Sequence, residues 1–251
     1  MPEGDTIWRA AAGLRRLVGG QAVTAARPER FAALAGRTLE AVEPVGKHLL
    51  MRFSGGWTLH SHMRMTGSWH AYRAGEAWRR PERLARAVLE FGRWQVVCFS
   101  APVVELVRDG RERVEHLGPD VLAERFPLEQ VLARARAVGP VALGELLLDQ
   151  RVCCGMGNVY KCEALWQLRM DPWGSGAGLS DARLGELFAT ARGAMLDNLA
   201  GTGRRLFGGR PAAVHGRRGR PCPRCGVSVR ARTQGDQGRM TYWCPACQRG
   251  P

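Results

Sequence analysis

Apolar residues recur at helical spacing through Ile7, Ala11, Leu14 and Val18, and Gly19-Gly20 closes the run. The pattern predicts an opening helix capped by Asp5 or Thr6. From Gln21 to about Val107 the periodicity shortens to that of strands. Lys47–Phe53 and Trp57–Met63 flank Ser54-Gly55-Gly56, and Ala87–Phe91 and Trp94–Phe99 flank Gly92-Arg93. Both read as hairpins, with further strands expected at Leu39–Val42 and Val103–Val107. Several short, closely spaced strands predict a β-sandwich or barrel-like first domain.

Beyond Glu115–Leu122, which contains Leu117-Gly118-Pro119 and reads as a connection, the pattern turns helical. Pro127 suits the start of a helix over Leu128–Ala137, and Pro140 the start of one over Val141–Asp149. A glycine-rich turn, Gln150 to Asn158, precedes helix at Val159–Leu168, and a longer amphipathic helix is expected at Leu179–Leu199. Residues 201–220, rich in Gly and Arg, should be loop. The fold class is therefore α+β: a leading helix on a β-sandwich, a helical domain, and a small C-terminal hairpin element.

Composition adds a partner. The 251 residues carry 37 Lys and Arg against 23 Asp and Glu, a formal charge of +14. Eleven arginines and one acid, Asp236, lie from Gly203 onward. So dense a basic tail predicts a polyanion, most simply nucleic acid. No run approaches the roughly 20 apolar residues of a membrane span, and the mixed, acidic start is no signal peptide. A cytoplasmic protein, nucleoid-associated in a prokaryote and without a membrane partner, is expected. Just two of the 37 cations are lysines, Lys47 and Lys161, which marks them as places wanting a compact ammonium instead of a planar fork.

Three stretches carry chemistry. Cys222, Cys225, Cys244 and Cys247 form C-x2-C-x18-C-x2-C, the spacing of a four-thiolate zinc site. Four thiolates leave no open position, so one structural Zn2+ is expected. Arg230, Arg232 and Arg239 fall between the knuckles on a predicted hairpin, where they can meet phosphates. The remaining cysteines, Cys98, Cys153, Cys154 and Cys162, lack ligand spacing. In the glycine turn, Gly155 and Gly157 allow close approach to a phosphate at a helix start and Asn158 adds an amide donor; a plain helix joint is the alternative. At the N-terminus, removal of Met1 would leave Pro2 as a secondary amine with a pKa of roughly 7.7–8, able to form a Schiff base with a sugar aldehyde. Glu3 supplies a carboxylate beside it. An ordinary frayed start is the competing reading.

Taken together, Pro2-Glu3-Gly4, Gly46-Lys47-His48-Leu49-Leu50, Asp149-Gln150 through Gly155-Met156-Gly157-Asn158-Val159-Tyr160, and Gly216–Cys222 with the closing knuckle resemble the formamidopyrimidine-DNA glycosylase/endonuclease VIII family. The motifs run in the family's order over essentially the full length. The resemblance implies a bifunctional DNA glycosylase and abasic-site lyase of base-excision repair, acting on a flipped-out nucleotide. The catalytic candidates are then Pro2 as nucleophile, Glu3 as acid/base and Lys47. Lys47, Asn158 and Arg239 would grip phosphates, and Met65, in the loop His62–Gly67, would fill the gap left by the flipped base. The helical part would contain a helix–two-turns–helix motif.

The sequence departs from the family's pattern at Thr6, where a carboxylate is expected. The short segment from Ala200 to about Arg220 is more like the endonuclease VIII branch, which implies oxidised pyrimidines as substrates and strand nicking by β/δ-elimination. The implied domains are residues 1–115 (catalytic sandwich), 116–126 (linker), 127–210 (helix–two-turns–helix) and 211–251 (zinc finger). The expected partner is damaged DNA, as duplex with bubble and single-stranded forms left open, and the expected state is a monomer. A non-catalytic lesion-binding member of the same fold, or a zinc-ribbon nucleic-acid factor, are the alternatives.

Overall fold

The structure is a computed structural model, described here for residues 2–199, 206–207, 210–236 and 238–249. The loop expected over 201–220 and the start at Met1 therefore lie partly or wholly outside the described residues. The chain divides into two compact units, Met1–His116 and Leu117–Pro251.

Unit one opens with α1 (Gly4–Val18) and continues through β1 (Ala25–Arg27), β2 (Leu39–Val45), β3 (His48–Phe53), β4 (Trp57–His62), β5 (Ser68–Arg73), β6 (Ala85–Phe91), β7 (Trp94–Phe99) and β8 (Val103–Arg108). Two four-stranded sheets form, in the orders β1-β6-β7-β5 and β2-β3-β4-β8, antiparallel throughout. The expected hairpins are β3–β4 and β6–β7. Alternation decides the faces: Leu49, Met51, Phe53 and Leu59 of one sheet share a core with Ala87, Leu89, Phe91, Val96 and Cys98 of the other. Ile7, Ala11, Leu14 and Val18 of α1 enter the same core, as their spacing predicted.

Two sequence expectations are corrected in this unit, and one strand in it was not expected. Glu3, not Asp5 or Thr6, is the N-cap of α1, its carbonyl accepting from Thr6 N at 2.9 Å and Ile7 N at 3.2 Å. The strand expected over Leu39–Val42 runs on through Pro44 to Val45. A proline lacks the ladder donor, but β2 is an edge strand, where that loss is tolerated. Strand β5 escaped notice because Ser68–Arg73 is mostly half-buried and polar, with no apolar run to announce it.

Unit two comprises α2 (Leu128–Ala137), α3 (Leu143–Leu146), α4 (Asn158–Gln167) and α5 (Asp181–Asp197), followed by the hairpin β9 (Arg230–Gln234) and β10 (Arg239–Trp243). The helix expected over Val141–Asp149 shrinks to the four residues of α3, because Val141 instead exchanges backbone hydrogen bonds with the loop at Gly139 and Gly176. Ser180 caps α5, its Oγ accepting from Arg183 N. Val121 and Leu122 join α2–α5 residues in one core.

Helix α4 is buried all round, which explains why it carries no clear polar face. Val159, Tyr160, Ala164 and Leu165 face the helical core, whereas Cys162 and Trp166 pack with Val214, Cys222, Val229 and Cys244. The C-terminal element is thus built onto α4. Glu163 completes the joint: its carboxylate, fully buried, accepts from the backbone N–H groups of Ala213, Val214 and His215 at 2.8–2.9 Å.

Candidate functional site

In unit one the candidate residues gather at the start of α1 and at the turns of the β2-β3-β4-β8 sheet. Pro2 is half-buried and Glu3 wholly buried, immediately ahead of the helix N-terminus, where the dipole favours an anion. Asp5 is also buried, and Thr6 Oγ1 donates to its Oδ1 at 3.4 Å. The hydroxyl that replaces an expected carboxylate is therefore engaged with the neighbouring one.

Lys47 occupies the two-residue turn between β2 and β3 and is partly exposed. Gly46 takes φ +57°, the left-handed geometry that a tight hairpin turn with glycine at its first position requires. At the end of β4, the loop to β5 holds two methionines with opposite fates. Met63 is 2% exposed and belongs to the core, while Met65 is 58% exposed. The loop is tightly drawn: Gly67 N donates to Met63 O at 2.8 Å, and a Cβ on Gly67 would lie 2.6 Å from that same oxygen.

Four of the six histidines in the chain meet on the outer face of this sheet, and the sequence reading missed them. His48 pairs with His62 across β3–β4, and His60 lies two residues away on the same face. His48 Nδ1 and His60 Nε2 are 2.8 Å apart, with His62 and His116 rings at 4.6 and 6.4 Å from that of His48. Burial, with the neighbouring histidines and Arg64, draws His48 down to about 3. Burial, then Arg64 and Lys47, draws His62 down to about 4. His48 and His62 are therefore neutral at physiological pH. The His-x-His of β4 was its visible signal; the third and fourth members come from strand register and the end of the unit.

In unit two the glycine turn is braced by a side chain. Gln150 Oε1 accepts from Gly155 N at 3.0 Å, and its Nε2 donates to Leu148 O and Met156 O. Gly155 has φ +100°, open to glycine, and Gly157 is the N-cap of α4. Asn158 follows, almost buried, and its Nδ2 donates to Met240 O at 2.8 Å. That bond ties Asn158 directly to the residue after Arg239. Arg239, half-exposed, opens β10, while Arg230 and Arg232 are exposed on β9. Arg232 stacks over Trp173, its guanidinium carbon 4.3 Å from the ring.

Cys222, Cys225, Cys244 and Cys247 converge, their sulfurs all within 4.8 Å of one another. Cys225 and Cys244 Sγ stand 3.4 Å apart, and Cys222 and Cys247 Sγ 4.0 Å. Four sulfurs around one Zn2+ at about 2.3 Å would stand about 3.8 Å apart, so the set fits a tetrahedral ion. Trp166 Nε1 donates to Cys222 Sγ at 3.3 Å. Burial pushes the Cys222 thiol up, but this bond and the Arg224 and Cys225 backbone N–H groups outweigh it, bringing it to about 6. Such donors favour thiolate over thiol. By contrast, burial pushes Cys98 and Cys153 up to about 12, which leaves them inert core residues.

A sandwich headed by a buried carboxylate, followed in the chain by a helical unit that carries a four-cysteine hairpin, defines the two-part class of DNA glycosylases. The Formamidopyrimidine-DNA glycosylase N-terminal domain matches residues 1–102, and the Formamidopyrimidine-DNA glycosylase H2TH domain residues 117–206. Probable endonuclease 8 2 of Streptomyces coelicolor is 43% identical over 262 residues, covering 100% of this chain and 95% of that protein. The DNA-(apurinic or apyrimidinic site) lyase Nei2 of Mycolicibacterium smegmatis is 34% identical, covering 99% of each chain. The crystal structure of MutM (Fpg) from Thermus thermophilus matches with a TM-score of 0.81 at 31% identity, over 100% of both chains. The chain belongs to the formamidopyrimidine-DNA glycosylase/endonuclease 8 family.

Proposed function

We infer that this chain is a bifunctional DNA glycosylase and abasic-site lyase of base-excision repair, with Pro2 as its nucleophile. The observation that carries the catalytic assignment is Glu3, a wholly buried carboxylate one residue after Pro2 at the head of α1. Once Met1 is removed, the Pro2 amine attacks C1′ of the damaged nucleotide; the glycosidic bond breaks and the base leaves with a proton. Glu3 protonates the ring oxygen, the sugar opens, and an iminium joins Pro2 to C1′. Loss of a C2′ proton then breaks the C3′–O bond and nicks the strand, a second elimination releases the sugar at its 5′ side, and water frees Pro2.

Lys47, on a turn that leaves it partly exposed, holds a backbone phosphate beside the reacting sugar. Asn158 and Arg239, linked through Met240, hold phosphates on the strand that carries the lesion. Met65, the exposed methionine of its loop, enters the gap left by the flipped base. One Zn2+, bound by the four cysteines, holds the β9–β10 hairpin in shape and takes no part in bond breaking. Oxidised pyrimidines are the substrate class that the resemblance to the endonuclease VIII branch implies, and relatives named endonuclease 8 support that branch. The enzyme works as a monomer in the cytoplasm, with the nucleoid as its place of action. No helix among the described residues is long and apolar enough to cross a membrane.

Borohydride trapping tests the assignment. Incubated with a duplex bearing an abasic site or an oxidised pyrimidine, the protein should form a covalent adduct that acetylation of the Pro2 amine abolishes. Absence of an adduct on every such substrate would sink the reading.

A further inference from the structure

Lys161 is the second of the two lysines among 37 Lys and Arg, and the reaction above gives it no task. It is wholly buried, so it touches no DNA. Its Nζ donates to Thr241 Oγ1 at 2.6 Å, Thr241 Oγ1 donates to Gln234 Oε1 at 2.6 Å, and Gln234 Nε2 donates to Pro172 O at 2.7 Å. All three donors point the same way, from α4 through β10 and β9 to the loop beyond α4, so each bond strengthens the next. The far end is seated by α3. A Cβ on Gly144 would lie 2.3 Å from Gln234 Oε1, which means that the glycine leaves room for that amide.

The two hairpin members of this chain bracket Arg239. Gln234 is its cross-strand partner, and Thr241 lies two residues along on the same face. Met240, between them, accepts from Asn158. Two bonds from one helix, at Asn158 and at Lys161 a turn later, thus fix both the height and the rotation of β10 on α4.

We propose that Lys161 is a positioning residue for phosphate recognition, setting the hairpin on α4 through Thr241 and Gln234 so that Arg239 is held beside Asn158. This rests on the reading of Arg239 as a phosphate ligand. An apolar side chain would leave Thr241 Oγ1 without its donor, and arginine would bring a fork too large for a single hydroxyl.

The test is binding to a duplex with a tetrahydrofuran abasic analogue, followed against salt concentration, for wild type, Lys161→Met, Gly144→Ala, Arg239→Ala and the Lys161→Met/Arg239→Ala pair. Metal content is measured throughout, and Thr241→Val replaces Lys161→Met if the latter loses metal. Loss of one phosphate contact weakens binding about tenfold or more and lowers the slope of log K on log salt by about 0.9. Lys161→Met and Gly144→Ala should each show that change although neither residue reaches DNA, and the double variant should be no worse than Arg239→Ala. A wild-type slope in metal-replete Lys161→Met, or additive losses in the pair, overturns the proposal. Should Arg239→Ala keep the wild-type slope, the phosphate role of Arg239 fails, and amide exchange decides the rest. Faster exchange through β9–β10 in Lys161→Met than in Arg239→Ala upholds positioning, and equal rates overturn it.

Discussion

Glu3 is wholly buried, where a solvated carboxylate would cost nothing, one residue after the proposed nucleophile Pro2. Glu3→Gln keeps the volume and removes the ionisable group. It should lower excision of an oxidised base by about 10²–10⁴-fold in single-turnover assays, with a melting temperature equal to or above that of wild type, since a neutral amide is cheaper to bury. An equal loss of activity and of folded protein would instead mark Glu3 as structural. Gly67 makes a second residue-scale case. Its missing Cβ would meet Met63 O at 2.6 Å, so Gly67→Ala must reshape the loop that carries Met65. We expect weaker binding to an abasic duplex at unchanged affinity for intact duplex, measured by fluorescence anisotropy.

At the scale of elements, the histidine face of β3 and β4 ties stability to pH. Unfolded histidine protonates near 6.5, whereas His48 and His62, pushed down to about 3 and 4, stay neutral in the fold until far lower pH. Between about pH 6.5 and 4 the unfolded chain therefore binds more protons, and stability must fall as pH falls. Urea midpoints at pH 7.5, 6 and 5 should decline, and His62→Gln should flatten that decline; a midpoint independent of pH contradicts buried, neutral His48 and His62. Helix α4 offers the complementary prediction in unit two. Glu163→Ala strands the N–H groups of Ala213, Val214 and His215 in a buried site, at roughly 1–3 kcal/mol each. Calorimetry should show a loss of about 3 kcal/mol or more in unit two, with unit one unchanged.

Across the whole molecule, a charge of +14 and a large apolar core within each unit set the large-scale behaviour. DNA affinity should fall steeply with salt for intact as well as damaged duplex, because counterion release does not depend on sequence. Removing the metal proposed for the four cysteines, by chelation or by Cys244→Ser, should unfold the hairpin and expose the face of α4 occupied by Cys162 and Trp166. Lesion binding should weaken and unit two should melt earlier, while the β-sheet circular dichroism of unit one persists. DNA binding unaltered after verified metal loss would contradict this.

Periodicity and punctuation made much of this legible in advance. The leading helix, both hairpins, α2, α4, α5 and the four-cysteine set are written in local patterns, because helix stripes, two-residue turns and paired knuckles depend on neighbours in sequence. Pro2, Glu3, Lys47, Asn158 and Arg239 are candidates named by the motifs of the resemblance in order along the chain. What lay beyond reach was set by contacts between distant segments. The Glu3 cap, the Gln150 brace, the meeting of His48, His60, His62 and His116, and the run from Lys161 to Pro172 join side chains that share no local pattern. Sequence alone determined which elements form and which residue types can do chemistry, since these follow from local sterics and side-chain composition. Tertiary structure alone decided burial, register and hydrogen-bond partners: which methionine is core and which is exposed, and how a helix holds the hairpin that carries Arg239.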